Sequence, residues 1–169
     1  MDLRVGDKVV YPNHGVGIVE QISSRNLTGT PEIFYLLKIE SNGMRVIVPM
    51  TNVATVGLRK VARVREVATV LEYLNASHTG AKSDWKGRFK RNSEKMRNGS
   101  LLQVAEVFKA LIALNQEKPL SFREKKMLDR AWQLLVDEIS VARGVSRDTI
   151  ENELMRRFSS SNLKVTLPA

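Results

Sequence analysis

The stretch VATVGLRKVARVREVATVLEYLN, residues 53–75, contains the change of periodicity that decides the fold. Up to Lys60 the apolar residues stand in short β-branched runs, which are typical of strands. From residue 64 onward they recur at spacings of three and four, which is typical of a helix with one buried face. The residues on that face are Val67, Val70, Leu71 and Leu74. The chain is therefore predicted to be an α+β protein, with a β-rich part followed by a helical part.

The part before the switch contains five predicted strands. They are KVVY (8–11), GVGIVEQI (15–22), IFYLLKIE (33–40), MRVIVP (44–49) and VATVGL (53–58). The Ser41-Asn42-Gly43 step between the third and fourth suits a tight hairpin, because Asn and Gly tolerate positive φ. Since no room remains for crossover helices, the strands are expected to form a small antiparallel barrel.

The part after the switch is predicted to be a compact bundle of about five helices, three longer and two shorter. Two serines are each followed three residues later by Gln or Glu, which is the capping-box pattern of a helix start. These pairs are Ser100 with Gln103 and Ser121 with Glu124. Helix ends are predicted at Gly99 and Gly144, and Ser146 is predicted to cap a last helix that reaches about Phe158. We expect domains at 1–60 and 61–160, followed by a frayed tail at 161–169.

The net charge of +9 is concentrated in the helical part. Residues 61–169 hold twenty Lys/Arg against thirteen Asp/Glu, and residues 82–97 alone hold seven against two. Such a local surplus attracts a polyanion, although a run of charges can also be an ordinary solvated helix face. A nucleic-acid partner is therefore a hypothesis at this point.

The residues offer no constellation for catalysis. The chain has no cysteine, and its two histidines, His14 and His78, stand far apart in turn-like sequence, so neither a metal site nor a cofactor is expected. No phosphate loop, dinucleotide-binding glycine motif or serine nucleophile elbow occurs. Asp137 and Glu138 are interpreted as solvated helix positions. The chain is predicted not to be an enzyme and to have no small-molecule substrate.

Two motifs carry a family resemblance. VGDKVVYPNHGVGIVEQI (5–22), followed by the continuous stretch DWKGRFKRNSEKMRNGS-LLQVAEVFKAL (84–111), resembles the CarD/CdnL family of bacterial transcription regulators to about residue 145. The first motif alone is also similar to the polymerase-interacting module of transcription-repair coupling factors. The helicase motor of those factors is not expected in a chain of 169 residues without a phosphate loop.

The resemblance implies a Tudor-like N-terminal domain that binds the RNA polymerase β subunit. It also implies a helical domain that binds promoter DNA at the upstream edge of the −10 element, where a tryptophan enters the minor groove and favours the open complex. By this resemblance the DNA-binding residues are Trp85, Lys86, Arg88, Lys90 and Arg91. Arg25 matches a polymerase-contacting arginine. A second basic contact of some relatives falls on Ile47, and Arg45 on the same strand face could replace it.

The two tryptophans are expected to differ. Trp132 shares a helical face with Leu128, Leu135 and Ile139 and is predicted to lie in the core. Trp85 is also on an apolar stripe, with Phe89 and Met96, so periodicity alone favours burial. It stands at a helix start among cations, however, and the resemblance implies that it is exposed and can act as a wedge.

Three hypotheses for function follow. The first is a transcription initiation regulator that bridges RNA polymerase and promoter DNA. The second is a protein–protein adaptor whose basic helix docks an acidic protein surface, and the third is a general architectural DNA-binding protein. The N-terminus lacks the pattern of a signal peptide and no window is apolar enough for a membrane helix, so we expect a cytoplasmic protein that joins the nucleoid through RNA polymerase.

Overall fold

The structure, a computed structural model, describes residues 1–26, 28–76 and 85–160, without the side chains of Trp85, Lys86 and Ser160. The chain divides into two compact units, Met1–Val61 and the residues from Ala62 onward. The exposure expected for the Trp85 ring, the role expected for Lys86 and the expected tail at 161–169 lie outside the described part.

The first unit is a five-stranded antiparallel sheet with the strand order β4-β3-β2-β1-β5. Its strands are β1 (Lys8–Tyr11), β2 (Gly15–Asn26), β3 (Pro31–Ile39), β4 (Arg45–Pro49) and β5 (Arg59–Lys60). Strands β1 to β4 form a meander, and β5 pairs with β1 on its other side. The edge strands of the described sheet are therefore β4 and β5. The core of this unit consists of Leu3, Val9, Val19, Tyr35, Leu37, Val48 and Leu58.

The predicted hairpin at Ser41-Asn42-Gly43 is confirmed. Gly43 has a φ of +70°, in the left-handed region that glycine enters without a Cβ penalty. The Gly43 N–H donates to the Ile39 carbonyl at 2.8 Å, and the Asn42 side-chain oxygen accepts from the Met44 N–H at 2.9 Å. The turn therefore sets the register of β3 against β4.

The predicted fifth strand at 53–58 is wrong. Residues Val53–Val56 form a one-turn helix, α1, after a 3₁₀ turn at Met50–Asn52, and the fifth strand is the shorter Arg59–Lys60 segment. Val53 and Val56 are three apart, so one helical turn packs both against the sheet core. Gly57, with a φ of +76°, then ends the turn. Packing has overridden the strand preference of β-branched residues here.

The second unit contains five helices, within the described residues, as the sequence predicts. They are α2 (Val64–Asn75), α3 (Trp85–Asn98), α4 (Leu101–Glu117), α5 (Phe122–Arg143) and α6 (Arg147–Ser160). The predicted caps are confirmed, because the side chains of Ser100, Ser121 and Ser146 each accept a hydrogen bond from the backbone N–H three residues later. The predicted buried face of α2 is also confirmed at all four positions.

Trp132 lies in the core of the helical unit, as predicted, with 3% of its surface exposed. Its ring packs on Phe108 with 5.5 Å between centroids, and Phe108 in turn packs on Phe158 at 5.4 Å. The other predicted members of its helix face, Leu128, Leu135 and Ile139, are buried with it.

The interpretation of Glu138 as a solvated position is wrong. Its side chain is buried, and one carboxylate oxygen accepts a hydrogen bond from the Ala62 backbone N–H at 2.9 Å. A buried carboxylate is costly unless it is paired or hydrogen-bonded. Glu138 meets this requirement by accepting a backbone N–H at the beginning of the helical unit.

Lys109 of α4 is also buried, and it fixes the end of α2. Its Nζ donates to the carbonyls of Tyr73 and Ala76 at 2.7 and 2.6 Å and lies 4.6 Å from the centre of the Tyr73 ring. Burial lowers the pKa of Lys109, and burial together with the nearby Glu106 raises the pKa of Tyr73. A cation at the carbonyl end of a helix satisfies backbone acceptors that no helical N–H can reach.

Candidate nucleic-acid interface

The first feature of the candidate interface is helix α3, which begins at Trp85. Of the apolar stripe predicted along this helix, Met96 is buried and Phe89 is half-buried, so the stripe faces the bundle at these two positions. The predicted cap, Ser83 or Asp84, lies outside the described residues. The backbone thus places Trp85 in the first turn of α3, as the sequence predicts.

Arg88 is not a surface cation. Only 6% of the residue is exposed, and its Nε and Nη2 donate to Oε2 of Glu124 at 3.4 and 3.2 Å. This corrects the expectation that Arg88 joins the residues facing DNA phosphates, because its charge is already paired inside the helical unit. This buried ion pair was not predicted from the sequence, because an arginine among six other cations is most simply interpreted as solvated.

Three other cations of α3 are exposed among the side chains that the structure describes. Lys90, Arg91 and Arg97 are exposed, and none of them has a carboxylate within ion-pair distance among the residues that the structure describes. Lys95 differs, because its Nζ pairs with Glu106 of α4 at 2.8 Å. Of the predicted DNA-binding residues, Lys90 and Arg91 therefore offer free positive charge at the surface.

A second basic and aromatic surface, which was not predicted from the sequence, lies at the start of α5. We call it the α5 patch and define it as Phe122, Lys125 and Lys126. Phe122 is 72% exposed, and the Lys126 Nζ lies 4.7 Å from the centre of its ring. The signal was present in the sequence SFREKK, since Phe122 falls outside the helical face that Leu128 and Trp132 define.

Helix α3 contacts helix α5 through residues that lie next in the chain to the two basic regions. Besides the Arg88–Glu124 ion pair, the Arg123 guanidinium lies 4.2 Å from the centre of the Phe89 ring. Lys90 and Arg91 follow these contact residues on α3, and the α5 patch flanks them on α5. An exposed ring with surrounding cations suits a nucleic acid, because cations bind phosphates and a ring can stack on a base.

The polymerase-binding residues predicted on the sheet fall into two places. Arg45 and Ile47 lie on the same exposed face of β4, and the Arg45 Nε pairs with Glu20 at 2.9 Å. Arg25 is exposed near the end of β2 and is opposite Glu32, whereas Arg45 is opposite Lys38. Glu32 and Lys38 are six residues apart on β3. Arg25 and Arg45 are therefore separated by about 20 Å along the direction of the strands, at the usual rise of a strand.

Ile47 has an apolar cross-strand neighbour on the exposed face of the sheet. Ile47 is 56% exposed and pairs in register with Leu36 of β3, which is half-buried on the same face. A protein interface typically combines such an apolar centre with charged residues at its rim. Arg45 supplies the neighbouring charge on the same strand.

Sites for metal chemistry or membrane insertion are not found among the described residues. No three His, Asp or Glu side chains come together there in a group that could hold a metal ion. The helices described also lack the length and hydropathy that a bilayer crossing requires.

Comparison with known proteins covers both units. The family "CarD, C-terminal domain" matches residues 69–155, and the family "CarD-like/TRCF RID domain" matches residues 3–62. The chain is 29% identical over 149 residues to the candidate transcription factor YdeB of Bacillus subtilis (strain 168), spanning 88% of this chain and 97% of that protein.

Two solved structures from Myxococcus xanthus are similar to part of the chain. CdnLNt is 43% identical, covers 36% of this chain and 86% of its own, and has a TM-score of 0.31. The 72-residue N-terminal domain of CarD is 41% identical, covers 35% of this chain and 79% of its own, and has the same TM-score of 0.31.

Proposed function

This chain belongs to the CarD/CdnL family of transcription regulators that interact with RNA polymerase, and we propose that it stabilises the open promoter complex. In this proposal the sheet unit binds the polymerase β subunit. The helical unit binds promoter DNA at the upstream edge of the −10 region. Trp85 enters the minor groove where paired DNA meets melted DNA.

The observation that carries the DNA part of the proposal is the free positive charge of α3. Lys90 and Arg91 are exposed and have no carboxylate partner in the described part of the chain, five and six residues after Trp85. Contacts to phosphate position a protein without reading the base sequence. An apolar side chain held beside such contacts can occupy an unstacked base step, as wedges of minor-groove proteins do.

A bubble edge is a favourable place for this wedge. Unstacking a step of intact duplex costs a few kcal/mol, and at the edge of melted DNA part of that cost has already been met. Stacking on an exposed base contributes about 1–3 kcal/mol. A ligand shifts the equilibrium between closed and open promoter DNA only by its difference in affinity for the two. A difference of about 1.4 kcal/mol is enough to raise the open fraction relative to the closed fraction tenfold.

The polymerase contact is assigned to the exposed face of the sheet. Arg45 and Ile47 lie on β4, which has no further strand beside it among the described residues, so a strand of the polymerase could pair with that edge. Arg25 forms a separate charged contact about 20 Å away along the sheet. Tethering to polymerase raises the effective concentration of the DNA-binding unit, so its own affinity for DNA can be weak.

The α3 cations give a test of the proposed DNA contact. Changing both Lys90 and Arg91 to glutamine is expected to weaken binding to forked promoter DNA. It should also reduce the slope of log affinity against log salt by about 2, since each phosphate contact contributes about 0.9. The measurement is a fluorescence anisotropy titration with labelled forked DNA at several salt concentrations.

The matched control for this pair is Lys95→Gln, because Lys95 already pairs with Glu106. Its salt slope should match that of the wild type. An unchanged slope in the Lys90/Arg91 variant would contradict a phosphate contact and would favour the adaptor hypothesis. Equal affinity for fully paired and forked DNA, without any need for polymerase, would favour the architectural hypothesis.

A further inference from the structure

We propose that Arg88 and Glu124 are positioning residues that hold the wedge-bearing turn of α3 at a fixed place relative to the α5 patch. The Arg88–Glu124 ion pair and the Arg123–Phe89 contact together form what we call the α3–α5 clasp. This inference rests on the proposed function, since it assumes that Trp85 contacts DNA. It assigns a role to two charges that neither DNA nor polymerase touches in the proposal.

Glu124 connects two helices through the two oxygens of one carboxylate. Its Oε2 accepts from Arg88 of α3, while its Oε1 accepts from the backbone N–H and the hydroxyl of Ser121 at 3.4 and 3.0 Å. Ser121 caps α5 in return, since its Oγ accepts from the Glu124 N–H at 3.2 Å. The capping box that begins α5 is therefore also the attachment point of α3.

The second contact of the clasp runs in the opposite direction. Arg88 of α3 reaches Glu124 of α5, and Arg123 of α5 reaches back to lie 4.2 Å from the Phe89 ring of α3. Two adjacent residues of each helix thus contact two adjacent residues of the other. A pair of reciprocal contacts restrains both sliding and rotation of the first turns, which a single contact would not do.

The burial of the ion pair points to positioning more than to stability. The side chains of Arg88 and Glu124 are 7% and 12% exposed, and an apolar pair of similar size would often be as stable in such a place. The site is also incompletely satisfied, because Arg88 Nη1 and Asn92 Nδ2 are buried and have no hydrogen-bond partner among the residues that the structure describes. What the pair provides is a directional contact with one geometry.

The clasp acts directly on the turn that carries Trp85. Arg88 is three residues after Trp85, which is about one turn of the same helix, so fixing Arg88 fixes the backbone of that turn. On the other side of the clasp, Phe122 and Lys125 flank its two α5 residues. The distance between the first turn of α3 and the α5 patch is then set before DNA binds, which reduces the ordering cost of binding.

A double-mutant cycle tests the clasp, with the affinity for forked promoter DNA as the measured quantity. Trp85→Ala in the wild-type chain is expected to weaken binding about tenfold or more. In an Arg88→Met chain, whose wedge is no longer held in place, the same Trp85→Ala change is expected to cost less than about threefold. Arg88→Met alone should weaken binding to forked DNA nearly as much as Trp85→Ala does.

Two further readouts separate positioning from other roles of Arg88. The salt slope of Arg88→Met should equal that of the wild type, whereas a slope lower by about 0.9 would make Arg88 a phosphate contact and overturn the proposal. Lys95→Met is the matched control, because it breaks a partly exposed ion pair of the same helix. In that background Trp85→Ala should keep its full effect.

The cycle is repeated with Glu124→Gln, which keeps the shape of the side chain and an oxygen for the Ser121 cap. Folding of each variant is checked by thermal unfolding, and Glu124→Gln replaces Arg88→Met if the latter does not fold. The same cost of Trp85→Ala in every background would overturn the clasp and leave the proposed function intact. No cost of Trp85→Ala in the wild-type chain would overturn the proposed function itself.

Discussion

Replacing Trp85 with alanine is expected to shorten the lifetime of the open promoter complex by about five- to tenfold relative to the wild-type protein. This range corresponds to the loss of about 1–1.4 kcal/mol, which is at the lower end of the roughly 1–3 kcal/mol that stacking on an exposed base contributes. The lifetime should not fall below that of polymerase alone, because the substitution can remove only the stabilisation of the open complex that the protein itself adds. The measurement is the decay of open complexes after a competitor is added, with the variant at a saturating concentration.

Two controls belong with this experiment. Trp85→Phe keeps an aromatic ring and should retain part of the effect, and Lys95→Met, at an already paired position of α3, should behave like the wild type. Binding of Trp85→Ala to polymerase should be unchanged, because the residue belongs to the helical unit. A wild-type lifetime with Trp85→Ala bound to polymerase would show that the wedge mechanism is wrong.

Arg25→Glu is expected to weaken binding to the polymerase β-lobe by about 30-fold or more. Loss of one member of an interfacial charge pair typically costs about 2–5 kcal/mol, and a reversed charge adds repulsion. The exposed position of Arg25 on β2 leaves it accessible to a partner. The measurement is a pull-down and titration with the purified β-lobe.

Arg4→Glu is the matched control for this second prediction. Arg4 is also an exposed arginine of the sheet unit, and its side chain has no assigned contact in the proposal. Its reversal changes the net charge of the unit by the same amount and should leave the affinity within about twofold. If both reversals weakened binding equally, a general electrostatic attraction would replace the specific Arg25 contact.

The parts of the fold that depend on local sequence were predictable. Helix α2 begins at the predicted residue and buries the predicted face, because its four buried positions repeat with the helical period. The serine caps and the Asn42-Gly43 turn were predictable for the same reason, since each is a contact between residues only two to four apart in the chain. Such contacts leave a short and specific signature in the sequence.

The sequence predictions that the structure contradicts all depend on contacts between residues that are distant in the chain. Arg88 is buried by Glu124, 36 positions away, and Glu138 by a backbone N–H that is 76 positions away. The buried line of α3 passes through Arg88, Asn92 and Met96, so two of its three members are polar and give no apolar signal. Residues 53–56 became a helix through packing on the sheet and not through their own preference.

The candidate site was predictable in part for the same reason. The surplus of cations after Trp85 is visible in the sequence, and the structure shows which of them remain free at the surface. The α5 patch lies 37 positions after Trp85 in the chain, and only the contact between α3 and α5 relates it to the first turn of α3. The roles proposed for Arg25 and Ile47 come from the family resemblance, because no local pattern would have indicated them.

The main proposal is that the protein favours melted promoter DNA, and the most direct test is the ratio of open to closed complexes at one promoter. This ratio is monitored with a fluorescent base in the −10 region while wild-type protein is added. We predict that saturating protein raises this ratio about tenfold, which corresponds to a preference of about 1.4 kcal/mol for melted DNA. A ratio that stays constant while the protein is bound to polymerase would contradict the account, because the protein would then bind both states equally.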